Sequence, residues 1–286
     1  MNKIIDFHQH LIQLTEVEER AKRMDKNSVR CAILMPFPKE IISIPDMIPH
    51  IGMKGKGQKY IDVVLKPLTH LNYELIRYVN NFNTTEPSEG SDGEKPKCRF
   101  VPVPWISLGL KELQIVRTPN GYPPIVKFIP IFDNVTKDYW DKMSTYIGLL
   151  RAHIVAVHTG WGSPILPLLE IIENHPEVTF VLMHMKEDFD QDNIDRKNIM
   201  RKARKDADNV YLETSYVPHS KRIYQYVRDG YSERLLFGSD YRISEDEQTL
   251  RGFVRVIEEC DITQKDVDNI LYNNAYKLLK SIGVVI

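Results

Sequence analysis

Two histidines, His8 and His10, stand one residue apart near the start of the chain, directly behind an apolar run. Because strand side chains alternate between two faces, His8 and His10 are expected to point the same way, and Asp6 with them. Two neutral imidazoles on one face can bind a single metal ion, and imidazole suits zinc, iron, nickel and manganese to differing degrees. A lone pair of this kind also arises by chance, so its meaning depends on the residues that join it.

Three further polar residues, His158, His184 and Asp240, each come where an apolar run ends. A polar side chain at the end of an apolar strand costs burial free energy unless it has a partner. Taken singly, each histidine is a satisfied core or rim residue, and Asp240 is the N-cap of a following helix. Taken together, the five residues indicate one shared partner, a metal ion and its water.

The elements that must position these residues alternate along the chain. Short apolar or β-branched runs occur at residues 3–7, 31–35, 100–105, 125–129, 154–157, 179–183, 210–212 and 235–237. Segments with helical apolar spacing lie between them, at 137–150, 164–174, 194–207, 219–229 and 245–258. This alternation predicts an α/β fold, and eight such units in 286 residues predict a (β/α)₈ TIM barrel. Active sites of such barrels lie at the carboxyl ends of the strands, where the five residues fall.

A single domain spanning residues 1–286 is predicted, with an insertion of about 41–98 between the second and third strands. The insertion contains the glycine- and lysine-rich stretch 51–58, which is either a solvated loop or a lid over the active site. A helix is predicted from residue 67 to about 82. Residues 83–96 carry many turn formers and little to bury, so they are expected to form an exposed loop.

Composition excludes several classes of partner. The formal net charge is −1, so no global field favours nucleic acid or an anionic membrane surface. No apolar run approaches the roughly 18 residues of a membrane span, and no leader segment precedes the first strand. Three cysteines without CxxC spacing suit a reducing compartment, and the cytoplasm is predicted. The expected partner is a small-molecule substrate, and assembly into a homo-oligomer is left open.

The chain resembles the amidohydrolase superfamily, in particular the branch called amidohydrolase 2, through the motifs IIDFHQH, IVAVHTG, FVLMHM, LLFGSDY and NNAYKLL. The motifs run from residue 4 to residue 279, with little correspondence between 41 and 96. The resemblance implies that His8, His10, His158 and Asp240 are metal ligands or their immediate neighbours. It also implies that His184 faces the substrate as a catalytic group.

A mechanism follows from this set of residues. A divalent ion held by neutral histidines lowers the pKa of its water from 15.7 to roughly 7. Asp240 would accept the water's proton and pass it to the leaving group, while His184 would polarise the scissile carbonyl or stabilise the oxyanion. The predicted activity is a metal-dependent hydrolase acting on a C–N or C–O bond, in an amide or a lactone. One alternative is a metal-dependent nonoxidative decarboxylase of an unsaturated or aromatic acid. Another is a non-catalytic barrel that binds a partner, although retention of all five residue types argues against it.

Zinc, at one ion per chain, is the expected cofactor. Lys127 complicates the count, because in some members of the superfamily a lysine at the end of the fourth strand is carboxylated and bridges two metals. Two ions are expected if Lys127 is carboxylated. The other interpretation, which the single-metal motifs favour, is an unmodified lysine that hydrogen-bonds within the site or binds substrate.

Two more cations are candidates for substrate binding. Lys186 and Arg242 each stand two residues after a predicted catalytic residue. Arginine binds carboxylates in a geometrically favourable way, so a carboxylate-bearing substrate is one expectation. Cations are also common on protein surfaces, so the alternative is that Lys186 and Arg242 are solvated surface residues.

Overall fold

The structure is a computed structural model that describes residues 3–11, 17–37, 66–84, 96–108, 123–130, 137–159, 166–184, 208–215, 220–240 and 247–286. The glycine- and lysine-rich stretch 51–58 lies outside these residues, and so does the predicted helix 194–207. Most of the loop predicted at 83–96 also lies outside them. The expected insertion 41–98 is therefore described only at 66–84 and 96–98.

Each of the eight predicted runs overlaps a strand, and the run at 100–105 overlaps two. The strands are β1 (Ile4–Leu11), β2 (Val29–Pro36), β3 (Arg99–Pro102), β4 (Trp105–Ile106), β5 (Ile125–Phe128), β6 (Ile154–His158), β7 (Thr179–Met183), β8 (Val210–Glu213) and β9 (Leu235–Leu236). The run predicted at 100–105 is divided into two strands, β3 and β4. Pro102 and Pro104 explain the division, since proline has no N–H to donate to a ladder.

Within the described residues, every pairing among these strands is parallel, in two sheets with the orders β1-β2-β3 and β4-β5-β6-β7-β8-β9. Backbone hydrogen bonds continue across both breaks between the sheets. At the proline break, Val103 donates to Leu34 of β2 at 2.8 Å, and the next residue, Pro104, accepts from Lys127 of β5 at 2.9 Å. At the other break, Phe7 donates to Phe237 and Asp240 donates to His8, each at 2.8 Å. With β3 and β4 as halves of one strand, the predicted (β/α)₈ fold is confirmed.

The described helices are α1 (Val17–Lys26), α2 (Lys66–Thr84), α3 (Lys137–Leu150), α4 (Leu166–Asn174), α5 (Ser220–Arg228), α6 (Glu247–Glu258), α7 (Gln264–Asp268) and α8 (Asn274–Ser281). Helix α3 has the bounds predicted from its apolar spacing, and α2, α4, α5 and α6 differ from theirs by about two residues. The prediction missed α1, whose buried Val17, Ala21 and Met24 follow helical spacing. No helix in the described ranges combines the length and apolar character needed to cross a bilayer.

The core has two layers. The larger cluster lies between the strands and the surrounding helices and includes Leu34, Phe128 and Leu182. The smaller cluster fills the barrel interior around Ile33 and Val181 and is closed by Leu279 of α8. An interior packed with side chains leaves chemistry to the carboxyl ends of the strands.

The alternation of side chains between the two faces of β1 is interrupted next to the histidine pair. Ile5 and Phe7 both pack in the inner cluster, as alternation requires. The register of β1 against β2 then shifts between Asp6 and Gln9, which is a β-bulge. A bulge re-aims the residues that follow it, and such features are common beside active sites.

Because of this bulge, the expectation that Asp6 points with His8 and His10 is wrong. The buried Asp6 carboxylate instead accepts hydrogen bonds from Ser239 N (2.9 Å), Ser239 Oγ (2.5 Å), Gln9 Nε2 (2.8 Å) and His8 N (3.1 Å). Burial raises the pKa of Asp6 to about 6, although the bonds from Ser239 and Gln9 lower it. Asp6 therefore fastens the segment after the last strand to the first strand, next in sequence to Asp240.

We expect Asp6→Ala to lower the free energy of unfolding by at least about 1–3 kcal/mol, because it leaves buried donors without an acceptor. Urea unfolding followed by circular dichroism measures the change. The control is Asp229→Ala, which removes an exposed carboxylate that accepts from Gln225 at 3.0 Å; it should cost less than about 0.5 kcal/mol. Equal losses in the two variants would contradict the fastening role.

Candidate metal site

Four of the predicted site residues converge at the carboxyl ends of β1, β7 and β9. His8 and His10 belong to β1, His184 follows β7, and Asp240 follows β9. All four are buried, with His184 the most exposed at 6%. His8, His184 and Asp240 each offer a ligand atom, and these atoms lie within 4.8 Å of one another.

The centre of this group is a triangle of donor atoms. His8 Nε2 lies 3.1 Å from His10 Nε2, and Asp240 Oδ1 lies 3.3 Å from the first and 3.0 Å from the second. For comparison, ligand atoms of a tetrahedral zinc site with bonds of 2.0–2.1 Å stand about 3.3 Å apart. We call these three atoms the donor triangle.

A buried carboxylate orients one corner of the triangle. Glu213, the last residue of β8, lies with Oε2 3.1 Å from His8 Nδ1. An imidazole that donates through Nδ1 presents the lone pair of Nε2, so Glu213 directs His8 Nε2 at the other two corners. Burial raises the pKa of Glu213 to about 7, while hydrogen bonds from Ser215 lower it.

The other two histidines stand beside each other. The rings of His158 and His184 meet edge-on, with centroids 4.4 Å apart, and the ring of His184 lies 4.9 Å from that of His8. Thr159 supports both strand ends, because its hydroxyl donates to the carbonyl of Met183 at 2.7 Å. His158 is partly exposed, in contrast to the four buried residues.

The backbone turns sharply at two of these residues. His184 has a φ of 61° and Asp240 a φ of 50°, both in the left-handed region. That conformation costs a residue with a Cβ about 1–2 kcal/mol, although Asp and His tolerate it better than most. Departures of this kind concentrate at functional sites, where the surrounding structure holds them in place.

The imidazoles of the site are neutral at physiological pH. Burial lowers the pKa values of His8 and His10 to about 3; the charge of Asp240 opposes the shift, and that of Lys127 adds to it. Burial also holds the pKa values of His158 and His184 well below 6.5. Only neutral imidazoles bind a metal, so the histidines are in the form that coordination requires.

Asp240 is ionised. Burial alone would raise its pKa, but electrostatic attraction to the imidazoles of His8 and His10 and a hydrogen bond from His10 hold the pKa well below 3.8. Asp240 Oδ1 lies 3.0 Å from His10 Nε2, and within the described residues the buried His10 Nδ1 has no hydrogen-bond partner. A buried carboxylate among neutral imidazoles is stabilised when a cation lies among them.

Lys127 supplies one positive charge to the site. It belongs to β5, is 1% exposed, and places Nζ 2.9 Å from His8 Nε2. Burial lowers the pKa of Lys127 to about 8, while Asp240 and Glu213 raise it. The ammonium of Lys127 therefore donates to His8 Nε2, which is one corner of the donor triangle.

These observations fit a divalent metal ion. The donor set is two neutral imidazoles and one carboxylate, which suits zinc, iron or manganese. The separations match those between ligands of one ion, and the ionised carboxylate of Asp240 is one of the three donors. Lys127 is near enough to share the site with the ion.

Two predicted substrate-binding residues, Lys186 and Arg242, lie outside the described residues, as does the stretch 51–59. Glu213 and Ser215 were missed by the sequence reasoning, although both stand at the carboxyl end of a predicted apolar run. Applying the strand-end rule to the run at 210–212, as to the others, would have found them. Thr159 was missed because a threonine after a strand has many structural uses.

Comparisons with known proteins bear on the family and the fold. The model of the amidohydrolase family Amidohydro_2 matches residues 130–280, just over half of the chain. An uncharacterised TIM-barrel protein from Bordetella bronchiseptica is 15% identical, with 99% of this chain and 100% of that chain covered and a TM-score of 0.60. A comparison with curated proteins finds no match.

Two further solved structures are decarboxylases with bound manganese. A dihydroxybenzoic acid decarboxylase from Polaromonas sp. JS666 is 12% identical, with 99% and 98% of the two chains covered and a TM-score of 0.54. A 5-carboxyvanillate decarboxylase from Novosphingobium aromaticivorans is 14% identical, with 94% of this chain and 81% of that chain covered and a TM-score of 0.57. At such identities the likeness shows the fold alone.

Lys127→Met should raise the affinity for a divalent ion by about tenfold or more at pH 7, because it removes a charge that repels the ion at close range. The wild-type affinity should rise as the pH passes through about 8, where Lys127 loses its proton, and the variant should lack this step. Titration with Zn²⁺ against a chromophoric chelator measures both effects. Lys142→Met, an exposed change on α3, is the control. A fall from two bound ions to one would instead show a carboxylated, bridging Lys127.

Proposed function

Because this chain belongs to the amidohydrolase family whose model it matches, we propose that it is a metal-dependent hydrolase that adds water across a C–N or C–O bond of a small molecule. Family membership supports the coarser statement, that the chain is a metal-dependent hydrolase or decarboxylase. The donor triangle of His8, His10 and Asp240 is the observation that carries the proposal, since it has no other evident use. An amide or a lactone is the proposed substrate class.

The proposed ligands are the three residues of the donor triangle, with His158 as the fourth. Zinc, at one ion per chain, is the proposed metal, and neutral imidazoles with one carboxylate are a common set for it. When bound, such an ion polarises the substrate and makes hydroxide available near neutral pH. Retention of a complete donor set argues against a non-catalytic barrel.

Asp240 is the proposed proton carrier. Its low pKa keeps it ionised, so it can accept a proton from the attacking water. Oδ1 faces His8 and His10, whereas Oδ2 lies 3.9 Å from His184 Nδ1. We assign proton transfer to Oδ2, which lies on the side of the catalytic histidine, and delivery of that proton to the leaving group follows.

His184 is the proposed catalytic group on the substrate side. It belongs to the group of ligand atoms within 4.8 Å, so the geometry also allows it to contact the metal. The resemblance assigns metal binding to His158 and substrate contact to His184. These two assignments predict different effects on metal content and turnover.

A carboxylate-bearing substrate is proposed on the basis of Lys127. A buried ammonium beside the donor triangle can pair with a substrate carboxylate, in a low dielectric that strengthens the pair. Lys186 and Arg242 are proposed to add to this recognition because they follow His184 and Asp240 by two residues.

Decarboxylation of an unsaturated or aromatic acid is the second candidate. Two structures of the same fold are decarboxylases that hold manganese, and a buried cation suits an acid substrate. In decarboxylation the substrate loses its carboxyl carbon as carbon dioxide, whereas in hydrolysis the product gains an oxygen atom from water. Release of carbon dioxide supports decarboxylation, whereas incorporation of ¹⁸O from labelled water into the product supports hydrolysis.

Metal content separates the roles of the two neighbouring histidines. His158→Ala should lose most of its zinc because it lacks one of four ligands, whereas His184→Ala should keep about one ion per chain and lose turnover. Elemental analysis after gel filtration measures the first quantity, and product assays with amides, lactones and carboxylic acids measure the second. The reverse pattern would transfer the ligand role to His184.

Asp240→Asn should lower turnover by at least about 10²-fold at matched metal occupancy, because asparagine keeps the size of the side chain but cannot take a proton. Asparagine caps a helix as well as aspartate does, so a capping role alone predicts near-normal turnover. The rates are compared in protein loaded to the same zinc content. Normal turnover of the fully loaded variant would remove Asp240 from the proton pathway.

A further inference from the structure

The carboxylate of Glu213 is completely occupied by donors. Oε2 lies 3.1 Å from His8 Nδ1, 3.3 Å from His184 N and 2.7 Å from Ser215 Oγ, and Oε1 accepts from Ser215 N. Three donors converge on Oε2 and one on Oε1, so both oxygens of the carboxylate are engaged. Glu213 is fully buried, so its orientation is set by these contacts rather than by water.

The donors fix the direction of the hydrogen bonds. The two backbone N–H groups can only donate, and the Ser215 hydroxyl donates its single proton to Glu213. Ser215 Oγ lies 2.8 Å from His184 Nδ1 as well. When Glu213 is ionised, the hydroxyl proton is already used, so Ser215 accepts there and His184 carries its proton on Nδ1.

A second constraint holds Glu213 in place from behind. A Cβ added to Gly238 would come within 2.0 Å of Glu213 Oε1. No side chain fits in that space, so the glycine in Gly238-Ser239-Asp240 lets the carboxylate approach the backbone of the last strand. Asp240 follows Gly238 by two residues. The contact between Gly238 and Glu213 therefore couples the positions of Glu213 and Asp240.

From this arrangement we propose that Glu213 and Ser215 are a positioning pair that fixes the tautomer of both His8 and His184. Glu213 holds the proton of His8 on Nδ1 and so directs Nε2 into the donor triangle. Ser215, itself held by Glu213, keeps the proton of His184 on Nδ1. In the neutral ring this makes Nε2 of His184 a proton acceptor.

The consequence deepens the proposed function and rests on it for the role of His184. A neutral His184 with its proton on Nδ1 cannot donate from Nε2 to a carbonyl oxygen. It acts as a base on the substrate side, or as an acid only after it has taken a proton. This differs from the expectation that His184 polarises the scissile carbonyl directly.

The first test needs no variant. Long-range ¹H–¹⁵N spectra of histidine-labelled protein, with and without Zn²⁺, report which nitrogen of each ring is protonated. Both His8 and His184 should show a protonated Nδ1 and an unprotonated Nε2 in the metal-free protein. A protonated Nε2 on either ring would overturn the proposal for that ring.

The second test uses Glu213→Gln, which keeps the size but replaces one acceptor oxygen with a donor. Its Zn²⁺ affinity should fall by about 10–100-fold, the usual effect of losing a carboxylate behind a ligating histidine. Gly238→Ala should lower the affinity in the same direction by displacing the carboxylate without altering a polar group. The matched control is Glu177→Gln, because Glu177 lies 3.3 Å from His175 Nδ1 at the surface. Its Zn²⁺ affinity should stay within about twofold of wild type; equal affinities for Glu213→Gln and this control would refute the pair.

The third test separates Ser215 from Glu213. Ser215→Ala should leave Zn²⁺ affinity within about threefold of wild type but shift the ring nitrogens of His184 and lower kcat, and Ser215→Thr should restore both. Unchanged His184 shifts in Ser215→Ala would remove Ser215 from the pair. If wild-type protein bound no divalent ion, the proposed function would fail, while the ring shifts would still decide the tautomers.

Discussion

Three possible ligand atoms, His8 Nε2, His10 Nε2 and Asp240 Oδ1, are held within 3.0–3.3 Å of one another in a buried pocket. Burial keeps both imidazoles neutral, so the rings bring no positive charge to balance the carboxylate of Asp240. Lys127 brings an ammonium within 2.9 Å of one corner. The surrounding structure keeps the three atoms at the spacing that ligands of one divalent ion require.

The closure between β1 and β9 is the main device that does so. The bulge in β1 turns His8 and His10 towards the site and leaves Asp6 bonded to Ser239, the neighbour of Asp240. Asp240 donates its own N–H to the carbonyl of His8 and adopts a left-handed φ. The two strands that carry the donor triangle are therefore joined by side-chain and backbone hydrogen bonds at the level of the site.

The carboxyl ends of β7 and β8 form the other half of the site. The carboxylate of Glu213, at the end of β8, contacts the His8 side chain of β1 and accepts from the backbone N–H of His184, after β7. One buried carboxylate therefore links the ends of three strands. Charge balance follows from the same residues. Asp240 and Glu213 carry negative charge, and Lys127 together with a bound divalent ion would carry the positive charge that balances it.

The sequence by itself determined the barrel and the strand ends at which its chemistry lies. Eight apolar runs alternating with helical segments require a parallel sheet covered by helices, and a histidine or aspartate after such a run must lie at the carboxyl edge. Composition also determined the kind of ligand, since paired histidines with an aspartate suit a metal better than any other partner. These conclusions depend on the local periodicity of apolar residues, which can be read from short segments of the sequence.

Only the tertiary structure decided which side chains meet. The facing of Asp6 depends on a bulge, and strand alternation alone predicted the opposite side. The contact of Glu213 with His8 joins residues 205 positions apart, and the space for it exists because Gly238 has no Cβ. The division of the third run into two strands depends on pairing partners on either side of it. Contacts of this kind are set by register and packing between distant segments, and no local pattern in the sequence encodes them.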